Sequence, residues 1–173
     1  MAWSSHGTGQ FEPADLGALG ARCVLENGML VFNPGHVFLG EDVYVGHRTM
    51  LKGDTRAELR VADGAWIGQD CYFHSAGGIR IGEGAGIGPR VMILTSVHEE
   101  TPPPAAILDA PLRFAAVEVG AGADVGIGSI LLPGARVGAG AQIGAGSVVT
   151  GDVPDGYVAT GVPARVVRRR GES

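Results

Sequence analysis

Residues 117–153 read VEVGAGADVGIGSILLPGARVGAGAQIGAGSVVTGDV. Aliphatic residues recur at every sixth position: Val119, Val125, Leu131, Val137, Ile143 and Val149. Glycine follows most of them, and a small residue lies two places before all but the first: Ala123, Ser129, Ala135, Ala141 and Ser147, with Val117 the exception. An earlier ladder runs Val61, Ile67, Phe73 and, after a two-residue slip, Ile81, Ile87, Ile93. Leu39, Val45 and Leu51 form a third, shorter register. A helix would need apolar spacings of three and four, and so much glycine would destabilise it. A six-residue unit is instead one short strand and a corner. Its aliphatic side chain fills the core, its glycine permits the corner, and its small residue fits alongside. Three such units close one turn of a triangular, all-β parallel β-helix whose coils stack about 4.8 Å apart. A β-sandwich would show alternation over spans of about 8–12 residues.

Composition agrees. There are 30 glycines in 173 residues, more than twice the usual share of about 7%, and no Gly-X-Y period of the collagen kind. Hydrophobic residues make up 45% and charged residues 18%, which excludes a disordered chain or a coiled coil. The net charge of −5 argues against a general nucleic-acid binder. No apolar run is long enough for a membrane span. The opening MAWSSHGTGQFEP lacks the basic-then-apolar pattern of a signal peptide. Cys23 and Cys71 stand far apart and outside any CxxC pair, so a reduced, cytoplasmic setting is expected.

The chain divides into an N-terminal cap segment (1–22), a β-helix (23–153) and a tail (154–173). Within the cap, EPADLGALG (12–20) predicts a short helix with Pro13 in its first turn. EETPPPAAILDAPLRFAA (99–116) interrupts the repeat with four prolines and predicts a protruding loop of the length that is usually functional or disordered. After Pro154 the chain is expected to leave the ladder.

Five histidines are present, no two within five positions of each other. His98 stands where the coil gives way to the proline-rich loop. With residues 91, 93 and 97 taken as inward, it points out of the prism. His74, following inward Phe73, also points outward. For each, a solvent-exposed turn histidine is the alternative. PRVMILTSVHEE (89–100) resembles the segment that carries the catalytic histidine in sugar O-acetyltransferases of the maltose and galactoside acetyltransferase type. The resemblance covers roughly residues 61–168, including GAGSVV and GVPARVV. It implies a left-handed β-helix and a homotrimer with its site between prisms. It also implies acetyl-CoA as co-substrate, no metal, and His98 as general base. An imidazole, with an ordinary pKa near 6.5, can take the proton of a sugar hydroxyl as that oxygen attacks a thioester. The amide that holds the oxyanion would lie near Gly126 or Ile127. The family's acetyl-CoA contacts fall on Ile127, Ala145, Thr150, Gly151, Arg165 and Arg168. The two arginines suit a ligand bearing three phosphates.

Three positions depart from that family. Asp124 stands where it often has Trp, Gly151 where a Lys is frequent, and His74 where it has a sugar-binding Asn. The sequence SAGG replaces the acidic residue and extra loop that follow that Asn. His74 and Asp124 are therefore expected to bind the acceptor, with the imidazole raised by the carboxylate. The acceptor is expected to be a sugar hydroxyl of a surface polysaccharide or of a glycosylated small molecule. Two other readings compete. One is a non-catalytic β-helix scaffold. The other is a metalloenzyme resembling the γ-carbonic anhydrases, whose H-x4-H pair this chain lacks.

Overall fold

The computed structural model describes residues 5–172; the first four residues of the expected cap segment, and Ser173, lie outside the described residues. The chain winds into a left-handed parallel β-helix of about seven turns. Its first face holds seven strands: Ala18–Leu19, Val37–Leu39, Leu59–Val61, Ile79–Ile81, Val117–Val119, Arg136–Val137 and Asp152–Val153. The second carries Val24–Leu25, Tyr44–Val45, Trp66–Ile67, Gly86–Ile87, Asp124–Val125, Gln142–Ile143, Tyr157–Gly161 and Ala164–Arg169. The third carries Leu30–Phe32, Met50–Lys52, Tyr72–His74, Met92–Leu94, Ile130–Leu131 and Val148–Val149. Neighbouring strands on each face run parallel, except that Ala164–Arg169 folds back antiparallel on Tyr157–Gly161.

The repeated aliphatic residues form the core. Ile67, Phe73, Ile87, Ile93, Leu131 and Ile143 are all fully buried. The small residues two places earlier are buried too, and their hydroxyls satisfy corner carbonyls: Ser129 Oγ donates to Gly144 O at 3.1 Å and Ser147 Oγ at 2.6 Å. One set of corner positions has positive φ throughout the prism. Glycine fills it in the first and the later coils (Gly28, φ 80°; Gly128, φ 70°; Gly146, φ 68°), but charged residues fill it in the middle ones (Arg48, φ 57°; Asp70, φ 57°; Arg90, φ 60°). Each non-glycine residue costs about 1–2 kcal/mol in that region. Arg48 and Asp70 offset part of this by pairing across coils through two hydrogen bonds of 2.7 and 2.9 Å.

Three expectations are corrected. The N-terminal helix is only a three-residue 3-10 turn, Pro13–Asp15, after which Ala18–Leu19 already pairs with the next coil. Val97 does not point inward: it is 42% exposed, and the last inward residue before the interruption is Thr95. The chain also stays on the prism beyond Pro154, because Val158 and Ala159 continue the second face and are buried. Among the described residues, no helix is long and apolar enough to cross a membrane.

Candidate functional site

The interruption at 99–116 forms the tip and the returning strand of a ribbon. Ser96–His98 leaves the corner between the third and first faces and pairs antiparallel with Leu112–Phe114. Its base closes where Ala115 N–H donates to Thr95 O at 3.0 Å. The prolines keep the tip irregular, with one 3-10 turn at Ile107–Asp109. This turn buries Ala110 and presents its carbonyl to His98, whose Nδ1 lies 3.2 Å away. A carbonyl oxygen can only accept, so Nδ1 carries the proton. Nε2 of the neutral ring is left with a free lone pair.

Alternation along the ribbon puts Ser96, His98, Leu112 and Phe114 on one side, and Val97 and Arg113 on the other. The second side closes a cavity of about 240 Å³ with Leu94, Leu132 and Thr150. Thr150 and Gly151 share a further cavity of about 200 Å³ with Arg165. Three residues named for the co-substrate thus meet at one edge. Arg168 lies on the returning strand beside Val158, with its guanidinium on the carbonyls of Arg169 and Glu172.

Gly126, Ile127 and Ala145 lie on a different edge, between the second and third faces. Gly126 is glycine for a packing reason: a Cβ there would stand 2.6 Å from Ala145 N. Its N–H is already spent on Ile143 O at 2.8 Å. The Ile127 N–H meets no backbone acceptor among the described residues, and its side chain is 52% exposed. Of the two amides expected to hold an oxyanion, only that of Ile127 is available.

His74 sits on the third face beside Lys52 and Leu94 in the neighbouring coils. Burial, reinforced by the Lys52 ammonium, pushes its imidazole below the ordinary value, against the weaker upward pull of Asp54. The expected rise is therefore corrected. Asp124 is on the second face, exposed, and accepts from Gln142 Nε2 at 3.2 Å. It does not meet His74 within one chain.

Sequence reasoning missed the outward row of the third face. Leu30, Met50, Tyr72, Met92, Ile130 and Val148 are in register from coil to coil, six apolar side chains with no charge among them. Met92 is 40% exposed. The signal was present as apolar doublets: each residue directly precedes an inward one (Leu30-Val31, Met50-Leu51, Tyr72-Phe73). The first face, in contrast, carries Arg60, Arg80, Glu118, Arg136 and Asp152 in its outward row. The apolar row separates the two edges described above. His98, His74, Thr150 and Gly151 lie toward one, Ile127 and Ala145 toward the other. Among the described residues, no group of three or more His, Cys, Asp or Glu side chains is placed to hold a metal ion.

The chain is 38% identical over 137 residues to nodulation protein L of Rhizobium meliloti strain 1021, covering 76% of this chain and 73% of that protein. Among solved structures, it superposes with a TM-score of 0.81 on a mutant of AntD, an N-acyltransferase from Bacillus cereus bound to dTDP-4-amino-4,6-dideoxyglucose and coenzyme A. Identity there is 20%, over 91% of this chain and 86% of that one. It superposes with a TM-score of 0.64 on a maltose O-acetyltransferase from Clostridium difficile 630, at 27% identity over 92% of this chain and 72% of that one. No family model matches the chain.

Proposed function

We propose that this chain, which belongs to the β-helix hexapeptide-repeat acyltransferases together with nodulation protein L, transfers the acetyl group of acetyl-CoA to a saccharide hydroxyl with His98 as general base. The observation that carries this reading is the hydrogen bond from His98 Nδ1 to Ala110 O. It aims a lone pair out of the ribbon and fixes the tautomer that can accept a proton. In the reaction, Nε2 takes the hydroxyl proton as the oxygen attacks the thioester carbonyl. A tetrahedral oxyanion forms, and the Ile127 N–H would receive it. Collapse breaks the carbon–sulfur bond, and the imidazolium returns its proton to the departing thiolate. The acetyl ester and free CoA leave.

His98 and Ile127 lie on opposite edges of the third face, so one chain does not complete the site. The uncharged row between them supports a homotrimer in which one protomer's ribbon approaches its neighbour's Ile127 and Ala145 corner. Closed symmetry builds three equivalent clefts from one contact type. Within each cleft, Thr150, Gly151, Arg165 and Arg168 would hold the CoA moiety. The bare corner at Gly126, Gly128, Ala145 and Gly146 gives the pantetheine arm room along the backbone. His74 and Asp124 would line the acceptor end. We place the reaction in the cytoplasm, with unpaired Cys23 and Cys71 in support. The test is mass spectrometry of saccharides incubated with acetyl-CoA and the protein. A gain of one acetyl group on a sugar oxygen is expected. A chain that binds no CoA would be a scaffold instead.

A further inference from the structure

We propose that a groove beside the ribbon binds a phosphate group carried by the acceptor. The acceptor would then be a phosphorylated saccharide rather than a neutral one. This deepens the acyltransferase reading and rests on it for the identity of the ligand as acceptor. The groove has a volume of about 420 Å³, and its wall includes Arg56, Arg60, Arg80, His36 and Glu58.

Arg60 and Arg80 are direct neighbours in consecutive coils of the first face. Like charges placed opposite each other on a sheet are destabilising, and the fold tolerates the pair with limited compensation. Arg60 Nε donates to Glu58 at 2.6 Å, Arg80 to Glu118 at 3.3 Å, and Arg56 to Asp54 at 3.4 Å. Glu118 is also shared with Arg136 at 4.0 Å. A guanidinium has five donors, so each of the three keeps most of its N–H groups free.

Exposure separates the members of each pair. The Arg56, Arg60 and Arg80 side chains are 62%, 52% and 67% exposed, against 16%, 43% and 38% for their carboxylate partners. What a ligand meets first is therefore N–H. Two of the guanidiniums are also held in place by aromatic rings, Arg60 over Phe38 at 4.2 Å and Arg56 over Phe114 at 5.0 Å. A planar donor fork so fixed loses little entropy on binding an oxyanion. Three forks lining one groove suit a phosphate, which accepts several charge-assisted hydrogen bonds at once. A neutral sugar would form fewer charge-assisted hydrogen bonds with these guanidiniums.

The position connects this groove to the chemistry. Phe114 shares one side of the ribbon with His98, and Arg56 rests on Phe114. A phosphate held there leaves the rest of the acceptor free to run along the ribbon toward the imidazole.

The test is calorimetric titration with inorganic pyrophosphate, glucuronate or glucose, in the presence of saturating CoA so that the CoA phosphate site is filled. Wild-type protein should bind pyrophosphate, more tightly than glucuronate, and should not bind glucose. Arg60→Gln with Arg80→Gln should weaken pyrophosphate at least about tenfold. Glu58→Gln, which removes a competing carboxylate, should tighten it several-fold. Both variants lie on the surface, and an unchanged thermal midpoint confirms their folding. Pyrophosphate binding that is absent, or indifferent to both substitutions, overturns the proposal. Equal or tighter binding of glucuronate overturns the assignment to phosphate. Wild-type protein that binds pyrophosphate but not CoA would sink the acyltransferase reading while leaving the groove an oxyanion site.

Discussion

His98→Asn isolates the proposed base from the architecture that holds it. The amide of Asn can still donate to Ala110 O, as Nδ1 does at 3.2 Å, but nothing replaces Nε2. Loss of a general base costs on the order of 10²–10⁴ in kcat, about 3–5 kcal/mol of barrier. The KM for acetyl-CoA should stay within about twofold, since the interaction removed is made only as the proton moves. His98→Ala loses the base and the tether. A neutral, partly buried hydrogen bond contributes about 1 kcal/mol, so the ribbon should open about fivefold more often. The readout is the Glu99 amide, which bonds Pro111 O at 2.8 Å across the ribbon. Its hydrogen-exchange protection should fall in the Ala variant and hold in the Asn variant. Thiol release from acetyl-CoA, coupled to a chromogenic disulfide, gives the rates. An Asn variant retaining more than about a tenth of wild-type kcat would remove His98 from the chemistry.

The other expectations concern assembly, co-substrate and pH. Met92→Lys puts a charge into the apolar row of the third face; sedimentation should shift from trimer to monomer with loss of activity, and an active monomer would break the composite site. Arg165→Ala with Arg168→Ala should raise the KM for acetyl-CoA on the order of tenfold and flatten its salt dependence, whereas an unchanged KM would assign these residues to solvent. His74 has a folded-state pKa below its ordinary value near 6.5. As pH falls through that value the unfolded chain takes up the proton first, so stability drops on the acid side. Thermal midpoints between about pH 7.5 and 5.5 should fall further for wild type than for His74→Asn; parallel curves would contradict the burial argument.

The hexads made the prism legible because one physical requirement, a large side chain facing inward once per side, is repeated in every coil. Ile67, Ile87 and Ile143 are where that period puts them. Reading failed where the period lapsed. Val97 continues the strand alternation of Ile93 and Thr95, but the chain turns out of the prism after Thr95, and nothing local in TSVHEE marks the exit. EPADLGALG has the composition of a helix start, yet pairing with Val37–Leu39 overrides it. The resemblance named the candidate residues one by one, but their division between two edges left no mark in the sequence. That division depends on which corner each coil presents. Arg60, Arg80 and Arg136 each directly precede an inward aliphatic residue, a pattern that could have announced a charged face. The stacking of Arg56 on Phe114, about sixty residues apart in the chain, left no such trace.

The ribbon leaves between two coils that bond to each other as though it were absent. Ile79 pairs with Val117, and Met92 with Ile130, across the whole excursion. The winding therefore has a pendant, not a gap. The element bearing the proposed base hangs from a scaffold whose cohesion does not depend on it. Lengthening, shortening or recomposing residues 97–114 leaves every rung beneath intact. Such an arrangement decouples two kinds of inheritance: the prism can be conserved as a winding rule while the pendant drifts, is exchanged or is tuned toward a new acceptor. A solenoid built from one repeated unit acquires its individuality where the repeat is set aside.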